Sequence, residues 1–270
     1  MINPSTIGEG RVWLVGAGPG AADLITLRGL NLLRAAEAVV CDDLVNHDLL
    51  AHCAAGCERH FVGKRAGCHR SSQADINALL VALGQAGKKV VRLKGGDPLV
   101  FGRAGEELEA LREAGIPCEI VPGVTAATAA AAAAGLPLTH RDFSSAVVFV
   151  TGHQCAANTS ALDWGALARL RATLCFYMGV RRLPEIAQNL LGHGMPANLP
   201  VAVVSEATLP GQTIRVGTLG EATVLAEGLA GQPALVVIGE VVRLSTFAGE
   251  VATLHAGALP HGRAAVGEDV

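Results

Sequence analysis

The sequence predicts an α/β protein with mainly parallel sheets, divided into two α/β domains. Short apolar runs alternate with segments of helical periodicity along most of the chain. Glycine-bearing loops follow many of those runs, as in crossover-connected sheets. Half of the 270 residues are hydrophobic but only 3% are aromatic, so Ala, Val and Leu must build the core. Side chains that small let helices lie close on a sheet. The length supports a core of this size in two domains. The boundary falls near 136–143, giving domains at 11–137 and 143–245. The tail, 246–270, is rich in Gly, Ala and His without periodicity and reads as mobile.

The elements follow in order. Residues 11–15 form an apolar strand, 24–33 carry helical periodicity, and 38–41 form a second strand. A short third strand falls near 59–62. Ser71-Ser72 followed by Asp75 marks a helix start, with Ile76, Leu79, Leu80 and Leu83 on one face and Gly84 and Gly87 at its end. The strand 90–94 breaks at Gly95-Gly96, and Asp97-Pro98 leads into a helix from Gly102 to about Ala114. Glu106 and Glu107 stand in its first turn, where the helix dipole favours acids. The strand 118–121, the loop Pro122-Gly123-Val124-Thr125 and an alanine helix over 126–134 complete the first domain. The second repeats the pattern more loosely, with strands at 147–151, 173–178, 200–204 and 234–238. Helices are predicted at 164–170 and 183–191, and another begins near Glu221.

Composition excludes several classes. A net charge of −3, a pI near 6.3 and no dense basic cluster argue against nucleic acid as a partner. Seven cysteines, an odd count, and no secretory leader at Met1-Ile2-Asn3-Pro4 predict a cytoplasmic protein with reduced thiols. The longest apolar stretch, 125–138, is mostly Ala and too short to span a membrane. Cys53, Cys57, His60, Cys68 and His69 lack zinc-knuckle spacing, so no metal is expected and buried or incidental thiols are the better reading.

Two glycine loops draw attention. Gly16-x-Gly18-x-x-Ala21 follows a strand, and Asp42 and Asp43 lie about 20 residues further on, as in a dinucleotide fingerprint. Pro19 argues against that reading, because it removes a backbone N–H from the turn that should wrap a pyrophosphate. The helix also begins late, after Asp23. The Gly95-Gly96-Asp97-Pro98 run lies just past the carboxyl end of a strand, where ligands collect in open α/β sheets. Taken alone, it is equally a tight strand-to-helix turn.

Taken together, the motifs are more specific. They are Val15-Gly16-Ala17-Gly18-Pro19-Gly20, Asp42-x-Leu44-Val45, Gly63-Lys64-Arg65, Arg92-Leu93-Lys94-Gly95-Gly96-Asp97-Pro98 with Phe101-Gly102-Arg103, Pro122-Gly123-Val124-Thr125, Leu138-Thr139-His140-Arg141 and Tyr177-Met178-Gly179. In this order, over about 12–244, the chain resembles the tetrapyrrole (corrin and sirohaem) methyltransferase family, in its branch acting on uroporphyrinogen III. The resemblance implies two α/β domains with the active site in the cleft between them, in a homodimer. It implies S-adenosylmethionine as methyl donor, S-adenosylhomocysteine as product, and methylation of uroporphyrinogen III at C2 and C7 by way of precorrin-1 to give precorrin-2. Cofactor contacts carry over to Pro19, Gly95, Gly96, Asp97, Val100, Thr125, Ala126, Met178 and Ala207. Asp42 matches the proposed proton acceptor and Lys64 the proposed proton donor.

Chemistry is compatible with these implied roles. Methylating a pyrrole carbon leaves a cationic ring that must shed a proton, and a carboxylate such as Asp42 suits that task. Asp97 can pair with amino or hydroxyl groups of the donor. Arg65, Arg103 and Arg141, with Glu106, are implied substrate contacts, the arginines as clamps for the substrate's carboxylates. The alternative for each arginine, less favoured beside these motifs, is a solvated surface charge, and Lys64 can equally be a clamp. The sequence departs from the family pattern at Ala21-Ala22, where Asp-Pro is usual, at Cys41, where tyrosine is common, and at Cys68, often a histidine. With only about ten residues before the first strand, the dehydrogenase and chelatase module fused upstream in some members is not expected. A later corrin precursor as substrate, an NAD(P)-dependent oxidoreductase and a non-catalytic tetrapyrrole carrier are the competing readings.

Overall fold

The computed structural model describes residues 10–63, 72–152 and 162–247. Its first half holds β1 (Arg11–Gly16), β2 (Ala38–Cys41), β3 (Glu58–Phe61), β4 (Lys89–Lys94) and β5 (Cys118–Val121). These five strands are all parallel, in the order β3-β2-β4-β1-β5. They are joined through α1 (Leu27–Arg34), α2 (Gln73–Gln85) and α3 (Ala104–Glu113). Alternate residues of each strand enter opposite layers. Val12, Leu14, Val40 and Val90 meet Ile76, Leu80 and Leu111 of α2 and α3 on one face. Val15, Val39, Val91 and Leu93 pack with Leu33 of α1 on the other.

The second half holds β6 (Val147–Thr151), β7 (Thr173–Tyr177), β8 (Pro200–Ser205), β9 (Thr213–Thr218) and β10 (Ala234–Ile238), in the order β6-β7-β10-β8-β9. Only β6 and β7 pair in parallel here; β10 runs antiparallel to β7 and β8, and β8 to β9. Over both sheets five of the eight pairings are parallel. On one face Leu174, Phe176, Val203 and Val236 pack under α5 (Trp164–Arg169), α6 (Leu183–Gly192) and α7 (Ala222–Ala226). The other face is covered by α4 (Ala126–Ala133), which leaves the first sheet after β5. Its Ala127, Ala130 and Ala131 pack on Cys175, Tyr177, Ala202 and Val237, so a helix that follows the first sheet in sequence belongs to the core of the second.

Most predicted elements stand within a few residues of their places, and β9 is the strand the sequence reading missed. Residues 22–24 form a separate 3-10 turn, and α1 starts only at Leu27, where Thr26 accepts the Gly29 N–H at 3.1 Å. The predicted start of α3 at Gly102 is corrected to Ala104, because Phe101 (φ 53°) and Arg103 (φ 56°) are left-handed and cannot continue a helix backwards. Ser72 and Asp75 form the capping box of α2. Among the described residues, no helix is long and apolar enough to cross a membrane. Cys68, His69 and almost all of the 246–270 tail lie outside the described residues.

Candidate active site at the carboxyl ends of the first sheet

The loops after β1, β4 and β5 meet where three glycines touch backbone to backbone. A side chain on Gly123 would meet the Gly96 carbonyl oxygen at 2.3 Å, and one on Gly16 would meet Gly123 Cα at 2.6 Å. Gly18 and Gly96 form a two-way bridge, with the Gly96 N–H donating to the Gly18 carbonyl at 2.8 Å and the Gly18 N–H donating back at 3.3 Å. Asp97 locks the junction. Its Oδ1 accepts the Leu99 N–H at 2.8 Å and its Oδ2 accepts the Gly123 N–H at 3.0 Å. Both oxygens thus already hold the loop, which gives Asp97 a task beside the ligand contact expected of it.

The second half closes on this junction. Tyr177, at the end of β7, shares a hydrogen bond of 2.7 Å with Thr125 Oγ1, and its hydroxyl accepts the Ala127 N–H at 3.1 Å. It caps α4 from the other sheet, since Thr125 makes no side-chain cap itself. The Ala21 N–H donates to Thr208 Oγ1 at 2.9 Å, and a side chain on Gly20 would meet the Ala207 carbonyl oxygen at 2.6 Å. Val100, Ala126 and Ala207 pack on one apolar cluster. Phe101 and Phe149 flank Tyr177, with ring centroids 5.0 and 5.6 Å from it. Among the described residues, the five non-glycine residues with positive φ, Phe101, Arg103, Met178, Glu206 and Thr208, all lie on these converging loops. Strain gathered in this way is characteristic of sites that hold a ligand in fixed geometry.

The residues expected to hold a cofactor, Pro19, Gly95, Gly96, Asp97, Val100, Thr125, Ala126, Met178 and Ala207, therefore lie on or beside five converging loops, those after β1, β4, β5, β7 and β8. Gly96, at φ +69°, has its side-chain direction open. The nearest atoms to an added Cβ would be Ala126 N at 3.8 Å and Val124 O at 4.0 Å. That gap is bounded by backbone and by the N-terminus of α4, and the exposed Met178 stands beside Tyr177.

Asp42 follows β2, next to this junction: Leu44 Cβ lies 3.1 Å from where a Gly95 side chain would begin. Its Oδ1 accepts Arg92 Nη2 at 2.6 Å. Arg92 is 2% exposed and also donates from Nε to Glu107 Oε1 at 3.0 Å. Lys94 Nζ donates to both Glu107 oxygens, at 3.0 and 3.1 Å. The sequence reading placed Glu107 beside Glu106 in the field of a helix terminus; instead it is fully buried between two cations. Burial alone would lower the Arg92 pKa, but Asp42 and Glu107 outweigh it and hold it above the usual value. Burial, then Arg92, lowers that of Lys94. Burial, reinforced by Asp42, pushes the Cys41 thiol up to about 12, so it stays neutral beside the carboxylate.

The implied substrate contacts are spread further. Arg103 and Glu106 form a two-bonded ion pair at the start of α3, at 2.7 and 2.6 Å. Arg141 is exposed on the turn closed by the His140–Ser144 bridge. Lys64 and Arg65 lie outside the described residues. Sequence reasoning missed Arg92, Lys94 and Glu107 as a group, and also Tyr177 as the trans cap. Two cations spaced by two in an otherwise apolar buried strand were the available signal for the first.

Glycine loops at the carboxyl ends of the first sheet thus meet loops of the second, in an α/β architecture of two sheets. The family model of the Tetrapyrrole (Corrin/Porphyrin) Methylases matches residues 11–223, and the chain belongs to that family. It is 54% identical over 236 residues to siroheme synthase 1 of Pectobacterium atrosepticum and 52% identical to that of Yersinia enterocolitica. Each match covers 87% of this chain but 49% and 50% of those proteins, so the chain spans about half the length of the curated relatives it matches. Among solved structures, it resembles the Thermus thermophilus uroporphyrin-III C-methyl transferase complexed with S-adenosyl homocysteine. That match has 40% identity and a TM-score of 0.74, covering 87% of this chain and all of that one. A cobalt precorrin-4 methyltransferase of cobalamin biosynthesis aligns with a TM-score of 0.77 at 30% identity, over 86% of this chain and 95% of that one.

Proposed function

We propose that the chain is an S-adenosylmethionine-dependent C-methyltransferase that converts uroporphyrinogen III to precorrin-2 by methylating C2 and C7 through precorrin-1. The observation that carries this reading is the cradle at Gly96, open toward the N-terminus of α4 and bounded by residues of both halves. The likeness to a solved uroporphyrin-III C-methyl transferase that holds S-adenosyl homocysteine supports it. S-adenosylmethionine, when bound there, supplies a methyl group already activated by its sulfonium. The loops fix the position of that ligand, with Gly95, Gly96, Asp97, Val100, Thr125, Ala126, Met178, Ala207 and Pro19 around it. Asp42 takes the proton that the cationic ring system sheds after methylation, since the methylated carbon itself is quaternary and has none to lose. Its Oδ1 is held by Arg92, and Oδ2 has no hydrogen-bond partner among the described residues. Arg65, Arg103 and Arg141 pair with substrate carboxylates, with Glu106 setting the Arg103 fork, and Lys64 serves as proton donor or as a further clamp. The working enzyme is a cytoplasmic homodimer whose product feeds sirohaem or cobalamin.

A later corrin precursor is the rival substrate, through the likeness to the precorrin-4 enzyme. An NAD(P) site is disfavoured because the fingerprint loop runs into a 3-10 turn and α1 opens only at Leu27. The test is isothermal titration with S-adenosylhomocysteine and with NADPH, followed by anaerobic turnover of uroporphyrinogen III with mass detection. Micromolar binding of the first ligand only, and a product carrying two added methyl groups, is expected. Binding of NADPH alone, or methylation only of an already methylated corrin precursor, overturns the reading.

A further inference from the structure

Val90, Arg92 and Lys94 are alternate residues of β4 and share the face covered by α2 and α3. Val90 enters that core, as the face demands; at the two positions nearest the cleft the same face carries cations. Glu107 of α3, fully buried, reaches both. A buried ion cluster is a poor device for stability, because well-packed apolar side chains of similar volume do as well or better. The geometry has another consequence. The Arg92 guanidinium is held on every edge: Nε by Glu107, Nη2 by Asp42, and Nη1 by the Val40 and Leu93 carbonyls at 3.4 Å. Gln73 Nε2 of α2 reaches Glu107 Oε1 at 3.4 Å and also bonds Asn77 Oδ1, while Asn77 Nδ2 donates to the Glu106 carbonyl. The orientation of the Asp42 carboxylate is thus set from α3, through one arginine.

We propose that Glu107 is a positioning residue: it fixes the Arg92 guanidinium, which in turn holds Asp42 by one oxygen and leaves the other to accept the proton. Glu107 touches no substrate atom and acts only through Arg92, with Lys94 balancing its charge. The proposal rests on the reading of Asp42 as proton acceptor given above. A displacement of Asp42 of about 1 Å is enough to cost on the order of 10²-fold in rate without loss of binding.

The experiment measures kcat and KM for uroporphyrinogen III, with S-adenosylhomocysteine affinity and Tm, on the full chain. The variants are Glu107→Gln, Arg92→Lys, Asp42→Asn and the double variant Asp42→Asn/Glu107→Gln. Lysine at 92 keeps a buried cation but cannot bond Asp42 and Glu107 through a fork, so it decides the matter if Glu107→Gln does not fold. Expected is a fall of about 10²-fold in kcat for Glu107→Gln and Arg92→Lys, with KM and affinity within about twofold. The double variant should be no slower than Asp42→Asn alone. The proposal is overturned if Asp42→Asn loses turnover while Glu107→Gln and Arg92→Lys keep it, or if the two losses simply multiply. It is likewise overturned if kcat, KM and affinity fall together, as for a merely structural residue. If Asp42→Asn keeps full turnover, the base assignment itself fails and the positioning role falls with it.

Discussion

Gly96 and Gly123 share one junction, yet alanine should act differently at each. At Gly123 the new methyl would lie 2.3 Å from the Gly96 carbonyl oxygen and 2.8 Å from Gly16 Cα, both backbone atoms that cannot step aside. The loops must part, at a cost of about 1–3 kcal/mol by analogy with overpacked cores, and Gly123→Ala should lower Tm and ligand affinity together. At Gly96 the methyl has room, and the left-handed backbone adds only about 1–2 kcal/mol of strain. Gly96→Ala should therefore lose S-adenosylhomocysteine affinity by tenfold or more while staying folded, because the methyl fills the cradle. Calorimetry paired with thermal melting checks this, and a Gly96→Ala protein that binds normally puts the ligand elsewhere. The glycines were legible because a run such as Gly95-Gly96-Asp97-Pro98 announces a special backbone. The charged cluster was not. Glu107 had a sufficient local explanation at a helix start, whereas its real partners lie 13 and 15 residues away and Arg92 reaches Asp42 across 50. Periodicity assigns a residue to a face but does not say which distant charge will meet it there.

Helix α4 shows the same limit for elements. Its alanines predicted close packing on a sheet, and that is found, but on the sheet of the other half. Nothing in its eight residues specifies which sheet, nor that its cap comes from Tyr177. Strand positions were readable from apolar runs, and parallel direction from the alternation of strands with helices, as in the first sheet; the antiparallel pairings of the second sheet were not, because period-two alternation is the same either way. β9 escaped because Thr213, Arg215 and Gly217 dilute its apolar signal at a sheet edge. The trans cap makes a definite forecast. Tyr177→Phe keeps the ring among Phe101 and Phe149 but strips the hydroxyl from Thr125 and the Ala127 N–H. Stability should fall by about 1–2 kcal/mol, as for a lost cap or buried hydrogen bond. S-adenosylhomocysteine should bind several-fold more weakly, since Thr125 and Ala126 border the cradle. Denaturant melts of the two proteins measure the first and calorimetry the second; unchanged values for both would mean that α4 needs no partner from the second sheet.

Because α4 leaves the first sheet after β5 and is buried in the core of the second, the halves should unfold as one unit, and alkaline pH offers a way to see it. Cys41 and Cys175 have thiols pushed up to about 12, and Cys53 and Cys118 to about 11, each chiefly by burial. Cys41, Cys53 and Cys118 belong to the first half and Cys175 to the second. An unfolded thiol ionises near its ordinary value of 9.0, so above that pH the folded state holds protons the unfolded state has released. The stabilisation is complete below pH 9 and drains away as pH climbs through 11 to 12. Lys94, lowered by burial, works in the opposite sense as pH approaches its ordinary value of 10.5, but it stands against these four thiols, with Cys57 and Tyr177 also raised by burial. For a fully buried thiol such as Cys175, the slope reaches at most ~1.4 kcal/mol per pH unit. Under reducing conditions Tm should therefore hold steady to about pH 8.5 and fall steeply by pH 10.5. The fall should come as a single transition, because ionising Cys175 in one sheet and Cys41 in the other draws on the same cooperative unit. Cys175→Ala should start from a lower Tm and fall less steeply over this range. Two separate alkaline transitions, only one of them sensitive to Cys175, would show instead that the shared helix does not bind the halves into one folding unit.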